Sequence, residues 1–171
     1  MAIRVGINGF GRIGRQVVRA LREQNVADGT IVAVNDLTDP KTLAHLFKYD
    51  SVHGIYDGDV SAGSGSSSID NDEIEVLTEK DPGALPWKKL NVDIVLESTG
   101  RFTKAADAQK HIAGGAKKWL ISAPATGEDT TIVLGVNEAK YDSATHHSHP
   151  TASAPPNRAA PCCTTGTDAS R

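Results

Sequence analysis

A short apolar strand that runs straight into three spaced glycines, and then into a helix, constrains this chain more than any other feature. Residues 2–15 read Ala-Ile-Arg-Val-Gly-Ile-Asn-Gly-Phe-Gly-Arg-Ile-Gly-Arg. Ile3 to Asn8 is apolar and β-branched, as a buried strand requires. Gly9, Gly11 and Gly14 form a G-x-G-x-x-G pattern. In such a pattern the first glycine permits the tight turn, the second lets the backbone approach a pyrophosphate, and the third lets the helix pack against the strand. From Arg12 to about Glu23, Ile13, Val17, Ala20 and Leu21 recur at helical spacing. The free N–H groups at that helix start, with the helix dipole behind them, suit a phosphate. A second strand, Ile31 to Val34, ends at Asn35-Asp36. Asp36 lies 22 residues after Gly14, where a dinucleotide fold sets the carboxylate that takes the ribose hydroxyls. A carboxylate there repels a 2′-phosphate, so NAD is favoured over NADP.

Strands and helices alternate through the first 140 or so residues, which predicts an α/β fold: a Rossmann-type doubly wound, mostly parallel sheet. Asp39-Pro40 opens a helix carrying Leu43, Leu46 and Phe47. Short strand-like pieces, Gly58–Ser61 and Glu73–Thr78, flank the Gly/Ser run at Ala62–Ser68, which reads as a flexible hairpin tip or loop. Leu90 to Glu97 is the cleanest buried strand, and Ser98-Thr99-Gly100-Arg101 follows it. Thr103 can cap a helix running to about Ala113 and closing at Gly114-Gly115. Trp119–Ser122 and Thr131–Leu134 read as further strands. Ligands in such sheets bind beyond the carboxyl ends of the strands, which places Thr99 and Ser122 on the binding rim.

The net charge of −3 gives no electrostatic case for nucleic acid or an anionic membrane, and no apolar run approaches bilayer-spanning length. The amino terminus enters a strand directly, without a signal-like segment, so a cytoplasmic protein is expected. Cys162 and Cys163 are adjacent, offering neither a disulfide framework nor metal-ligand spacing. His146, His147 and His149 cluster; a metal site there is conceivable, but an exposed loop histidine run is the preferred reading, and no metal is expected.

Five ordered segments carry a more specific likeness. Val5-Gly-Ile-Asn-Gly-Phe-Gly-Arg-Ile-Gly-Arg15, Val34-Asn-Asp36, Lys48-Tyr-Asp-Ser-Val-His-Gly54, Glu97-Ser-Thr-Gly-Arg-Phe-Thr103 and Ile121-Ser-Ala-Pro124 resemble phosphorylating glyceraldehyde-3-phosphate dehydrogenase, over roughly residues 2–147. The resemblance implies an NAD-binding domain at 1–147 whose parent enzyme oxidises glyceraldehyde 3-phosphate with NAD and phosphate, as a cytoplasmic homotetramer. It implies that Arg12 and Ile13 offer backbone N–H groups to the pyrophosphate, and that Asp36 binds the adenosine ribose. It sets Lys80 near the adenine, with a solvated loop lysine as the alternative, and Thr99 and Ser122 along the path to the nicotinamide. Erythrose-4-phosphate dehydrogenase, which shares the fold and fingerprint, and a non-catalytic dinucleotide-binding module stay open as alternatives.

The last segment departs from that family. Its chemistry needs a cysteine thiolate that attacks the aldehyde before hydride passes to NAD and phosphate resolves the thioester. The family's Ser-Asn-Ala-Ser-Cys-Thr-Thr-Asn stretch is here Pro150-Thr-Ala-Ser-Ala-Pro-Pro-Asn157, with Ala154 in the nucleophile's slot and Pro155 and Pro156 where a helix should begin. Cys163-Thr164-Thr165 sits nine positions late, and an unremarkable thiol pair is the preferred reading there. Residues 148–171 hold no large apolar side chain and read as an aberrant, disordered Pro/Ala/Thr-rich tail. The expectation is a chain cut short, with the catalytic domain absent, no catalytic residue of its own and no dehydrogenase activity. Several replacements differ by one base toward cytosine, and reading the family's usual codons one base late gives Pro-Thr and Ala-Pro-Pro at this spacing. A damaged or frame-shifted 3′ end is therefore expected. Translating the coding DNA in three frames should recover Ser-Asn-Ala-Ser-Cys-Thr-Thr-Asn in another frame; its absence from all three would refute the idea.

Overall fold

A computed structural model describes residues 2–24 and 26–123, and the backbone of 148–150. The chain runs β1 (Ile3–Asn8), α1 (Arg12–Glu23), β2 (Gly29–Asn35), α2 (Pro40–Lys48), then a two-residue hairpin, β3 (Tyr49–Asp50) and β4 (Gly54–Ile55). β5 (Val60–Ala62), β6 (Ser66–Ile69) and β7 (Asp72–Leu77) follow, then a 3₁₀ turn at Pro82–Ala84 and β8 (Ile94–Glu97). Two short helical pieces, α3 (Ala105–Ala108) and α4 (Lys110–Ala113), lead to β9 (Lys118–Ile121) and β10 (Ser148–Pro150).

Among the described residues, eight strands form one sheet in the order β10-β9-β8-β1-β2-β7-β6-β5. Pairing is parallel from β10 to β7 and antiparallel through β6 and β5. The chain moves outward from β1 to β2, then returns to β8 on the other side of β1, so the strand order reverses between β1 and β8. That reversal marks the crevice where an open α/β sheet takes its ligand. This is the Rossmann-type α/β fold the alternation predicts.

Two cores lie on the two faces, as a parallel sheet requires. On one, Ile7, Val34 and Leu96 pack with Val18 of α1 and with Leu43 and Phe47 of α2. On the other, Ala33, Val95, Trp119 and Ile121 pack with Trp87 and Ala108. Trp87 packs against Gly6, where an added Cβ would stand 2.6 Å from the indole ring. β2 does not alternate cleanly between the faces. Val5 pairs with Ile31 but Gly6 pairs with Ala33, so Val32 is an extra residue in that strand.

Arg19 of α1 is buried over the paired rings of Phe47 and Tyr56, its guanidinium 5.6 Å from each ring centroid. Its Nη2 donates to the carbonyls of Phe47 at 2.6 Å and Gly54 at 3.1 Å, which ties α1 to the end of α2 and to the hairpin beyond it. Asp39 caps α2 by accepting from the Thr42 N–H at 3.0 Å, with Pro40 in the first turn, as expected. Leu43 and Phe47 of that helix are buried, but Leu46 is partly exposed.

Four expectations need correction. The Gly/Ser run is a tip only at its centre, where Gly65 has φ +99°; Ser66–Ser68 belong to β6, since antiparallel pairing with β7 asks for backbone groups and Ser67 is buried. The strand before Glu97 begins at Ile94, because Asn91 adopts φ +50° in a turn closed by the Val92 N–H on the Trp87 carbonyl. The helix after Thr103 starts at Ala105 and is divided at Gln109. Ser148–Pro150, placed by sequence at the start of the tail, pairs with β9. Thr131–Leu134, Ala154, Cys162 and Cys163 lie outside the described residues, as does the rest of the segment 151–171.

The Tyr56 hydroxyl donates to Asp70 beneath the first core. Burial first, and then that carboxylate, push its pKa up to about 12. An unfolded tyrosine ionises near pH 10. Tyr56 therefore contributes stability that is whole below about pH 10 and is lost as the pH climbs through about 12. A spectroscopic alkaline titration should show one late phenolate step that disappears in Tyr56→Phe.

Candidate functional site

The three fingerprint glycines do three different things. Gly9 has φ +95°, and a Cβ there would lie 2.6 Å from the backbone nitrogen of Thr99, so the turn after β1 is pressed against the turn after β8. A Cβ on Gly14 would lie 2.4 Å from the Gly9 carbonyl oxygen, so α1 packs on the same turn. Gly11 is the exception: a Cβ would meet nothing within 4 Å. It faces an open cavity of about 550 Å³ at the carboxyl edge of β1, β2 and β8, whose walls include Asn8, Gly9, Gly11, Asp36, Lys80 and Thr99.

Arg12, Ile13 and Gly14 are the first residues of α1, so their N–H groups have no carbonyl a turn earlier to bond. Gly11, as N-cap, supplies no side chain, and no acidic residue stands in the first turn. Such an end suits an anion. A bare N-cap, an open approach at Gly11 and a basic first turn fit a pyrophosphate.

Asp36 lies just past β2. Its carboxylate accepts from the Phe10 N–H at 2.9 Å and from the Thr38 N–H at 3.0 Å. It therefore fixes the glycine turn as well as lining the cavity, and each oxygen keeps a lone pair for a further donor. Lys80 is exposed on the same side of the cavity. Thr99 stands across β1 from Asp36. Ser122, one strand further along the edge, donates its N–H to the Glu97 carbonyl at 2.9 Å. The structure thus brings Gly9, Gly11, Asp36, Lys80 and Thr99 to one cavity, with Arg12 and Ile13 at the helix start beside Gly11. Ser122 lies on the same rim outside that cavity's walls.

Beneath the cavity floor runs a buried polar row that the motif reading missed. Asn8, Asn35 and Glu97 are the last residues of β1, β2 and β8, and register sets Asn8 beside both of the others. The Glu79 N–H donates to Asn35 Oδ1 at 2.7 Å, Asn35 Nδ2 donates to Asn8 Oδ1 at 2.7 Å, and Asn8 Nδ2 donates to Glu97 Oε2 at 2.6 Å. From the other end, the Trp87 indole N–H donates to His111 Nδ1 at 3.1 Å. An indole can only donate, so the His111 proton sits on Nε2 and is given to Glu97 Oε2, 3.0 Å away. Glu97 Oε1 accepts from the Thr99 N–H at 2.9 Å and the Thr99 hydroxyl at 2.5 Å. That hydroxyl in turn accepts from the Arg101 N–H at 3.1 Å, which leaves its own proton for Glu97.

Both ends of the row begin at obligate donors, so every proton points to Glu97. Its carboxylate is an acceptor only, and hence an anion. It is 1% exposed, and its four bonds among the described residues come from uncharged groups. The signal was present in the sequence: three polar residues each close an apolar strand.

Among the described residues no group of His, Cys, Asp and Glu could hold a metal ion. No described helix is long and apolar enough to cross a membrane.

A family model described as glyceraldehyde 3-phosphate dehydrogenase, NAD binding domain, matches residues 3–105. A glyceraldehyde-3-phosphate dehydrogenase of Streptomyces coelicolor is 60% identical over 161 residues, covering 94% of this chain and 48% of that protein. One from Geobacillus stearothermophilus is 56% identical, with the same 94% and 48% coverage. One from Bacillus cereus is 53% identical, with 92% and 47%. The chain spans about half the length of the curated relatives it matches.

If the row is arranged as described, Asn8→Leu should lower the unfolding free energy by about 2–3 kcal/mol, since it removes a buried hydrogen bond to a charged group. Asn8→Asp should cost more, because it turns a second carboxylate toward Glu97. Urea denaturation of both variants checks the order.

Proposed function

Because the chain belongs to the glyceraldehyde-3-phosphate dehydrogenase family and carries its NAD-binding domain, we propose that it binds NAD along the carboxyl edge of β1, β2 and β8. The observation that carries this reading is the open face of Gly11 at an uncapped helix start, with the Asp36 carboxylate beside it.

The backbone N–H groups of Arg12 and Ile13 hold the pyrophosphate, with Gly9, Gly11 and Gly14 shaping the turn around it. The free lone pairs of Asp36 accept the adenosine ribose hydroxyls, and its charge disfavours a 2′-phosphate. Lys80 stands on the adenine side. The other half of the dinucleotide crosses β1 toward Thr99, with Ser122 further along the same edge. Support for that direction comes from the sheet order: Asp36 and Lys80 follow β2 and β7, whereas Thr99 follows β8 on the opposite side of β1.

When bound, NAD accepts a hydride. The parent enzyme on this reading oxidises glyceraldehyde 3-phosphate with NAD and phosphate to 1,3-bisphosphoglycerate in glycolysis, in the cytoplasm and as a homotetramer. Exposed apolar residues on the hairpin after α2, Val52 at 67% and Ile55 at 68%, support association through that region. The NAD-binding unit comprises residues 1–147 with Ser148–Pro150 as its edge strand, and 151–171 take no part in binding. With Ala154 in the nucleophile's slot, this chain has no turnover of its own.

Titration with NAD should shift the amide signals of Gly9 to Gly14. Asp36→Ala should weaken NAD binding roughly tenfold or more, as expected for losing hydrogen bonds to a charged group. A coupled assay of the chain should give no NADH. Unmoved glycine-turn amides, or an Asp36→Ala variant with unchanged affinity, would overturn the reading.

A further inference from the structure

The anionic row under the rim bears on which redox form of the cofactor the site prefers. Oxidised nicotinamide is a pyridinium with one positive charge, and the reduced ring is neutral. The rest of the dinucleotide is identical in the two forms. A fixed charge near the nicotinamide end therefore acts on the difference between them and on little else.

Glu97 is such a charge. It is buried at the end of β8, and the donors around it fix it as an anion without supplying a cation. His111, the one ionisable side chain bonded to it among the described residues, is held neutral by the Trp87 indole. Thr99 and Asn8, both bonded to the carboxylate, line the cavity. Asp36 and Glu79 also set carboxylates at the rim, but they follow β2 and β7, across β1 on the adenosine side.

We propose that the Glu97 carboxylate, through its field across Thr99, biases the site toward the positively charged, oxidised nicotinamide over the reduced form. Glu97 touches no ligand; it is a specificity determinant that acts at a distance and also positions Thr99. The inference rests on the dinucleotide orientation given under Proposed function.

Three ligands separate the two ideas. ADP-ribose lacks the nicotinamide and reports the pyrophosphate and adenosine half alone. NAD and NADH together report the bias. Calorimetric titration of the chain with each, beside Glu97→Gln and Glu97→Asp, gives the ratio of NADH to NAD dissociation constants. Coulomb attraction across roughly 10 Å through a medium of effective dielectric constant about 20 supports a change of about fifteenfold. In Glu97→Gln the ratio should fall about that much while ADP-ribose affinity holds within about twofold. Glu97→Asp keeps the charge and should keep the ratio, which a purely packing role would not predict. A Glu97→Gln variant with normal ADP-ribose binding and an unchanged ratio overturns the proposal. Failure of the unmodified chain to bind ADP-ribose overturns the dinucleotide reading instead. Should Glu97→Gln not fold, His111→Lys sets an ammonium against the same carboxylate; a lowered ratio there supports the proposal and an unchanged one refutes it.

Discussion

A carboxylate buried with no cation survives only if the protein replaces the water it has lost. Leaving such a charge unpaired costs several kcal/mol even after relaxation. Here Glu97 takes four hydrogen bonds from three residues on different elements, and each of those residues is held by another. The demand fixes more than one side chain. It aligns the ends of β1, β2 and β8, orients two amides and an imidazole, and clamps the turn at Thr99 from below. The rim above is rigid because the floor beneath is fully bonded.

The glycine turn completes the clamp from the side. Gly9 is pressed on Thr99, α1 is pressed on Gly9 through Gly14, and Ser98 donates its hydroxyl to the Gly9 carbonyl at 2.6 Å. Asp36 adds a bond to the Phe10 N–H. Three loops that bear no secondary structure of their own are thereby made as fixed as the strands that carry them. Away from the rim, Arg19 acts similarly with the opposite charge, its guanidinium set over two rings and bonded to carbonyls of α2 and the hairpin. Among the described residues, each face of the sheet thus holds one buried ion, and each ion ties together elements that apolar packing alone would let slide.

Local chemistry decided what was legible in the sequence. β1 and α1 were readable to the residue, since a β-branched run, three glycines and a helical apolar stripe agree. Asp39-Pro40 announced α2 by capping alone. The cavity-lining set of Gly9, Gly11, Asp36, Lys80 and Thr99 followed from motif and resemblance, and the fold brings it together. The failures share a cause. Ser66–Ser68 form a strand because β7 offers a partner, and a serine run carries no local sign of that. Asn91 ends the run that Leu90 and Val92 seemed to continue, because one left-handed residue outweighs two apolar ones. The polar row escaped notice because its members are far apart in sequence, and only sheet register makes Asn8, Asn35 and Glu97 neighbours.

That register hangs on Val32. Were Val32 paired with Gly6 in unbroken register, Asn8 would stand opposite Val34, an apolar residue that belongs to the other face. The surplus residue advances β2 by one step, so that amide meets amide and Asp36 falls where the first turn can bond it. The bulge is in effect a spacer between core and rim: it lets the lower half of β2 keep its own phase with β1 while the upper half is indexed to the ligand edge. Loss of Val32 would close the bulge and keep both sets of pairs, whereas pairing Val32 with Gly6 would put every polar contact of the upper half out of step.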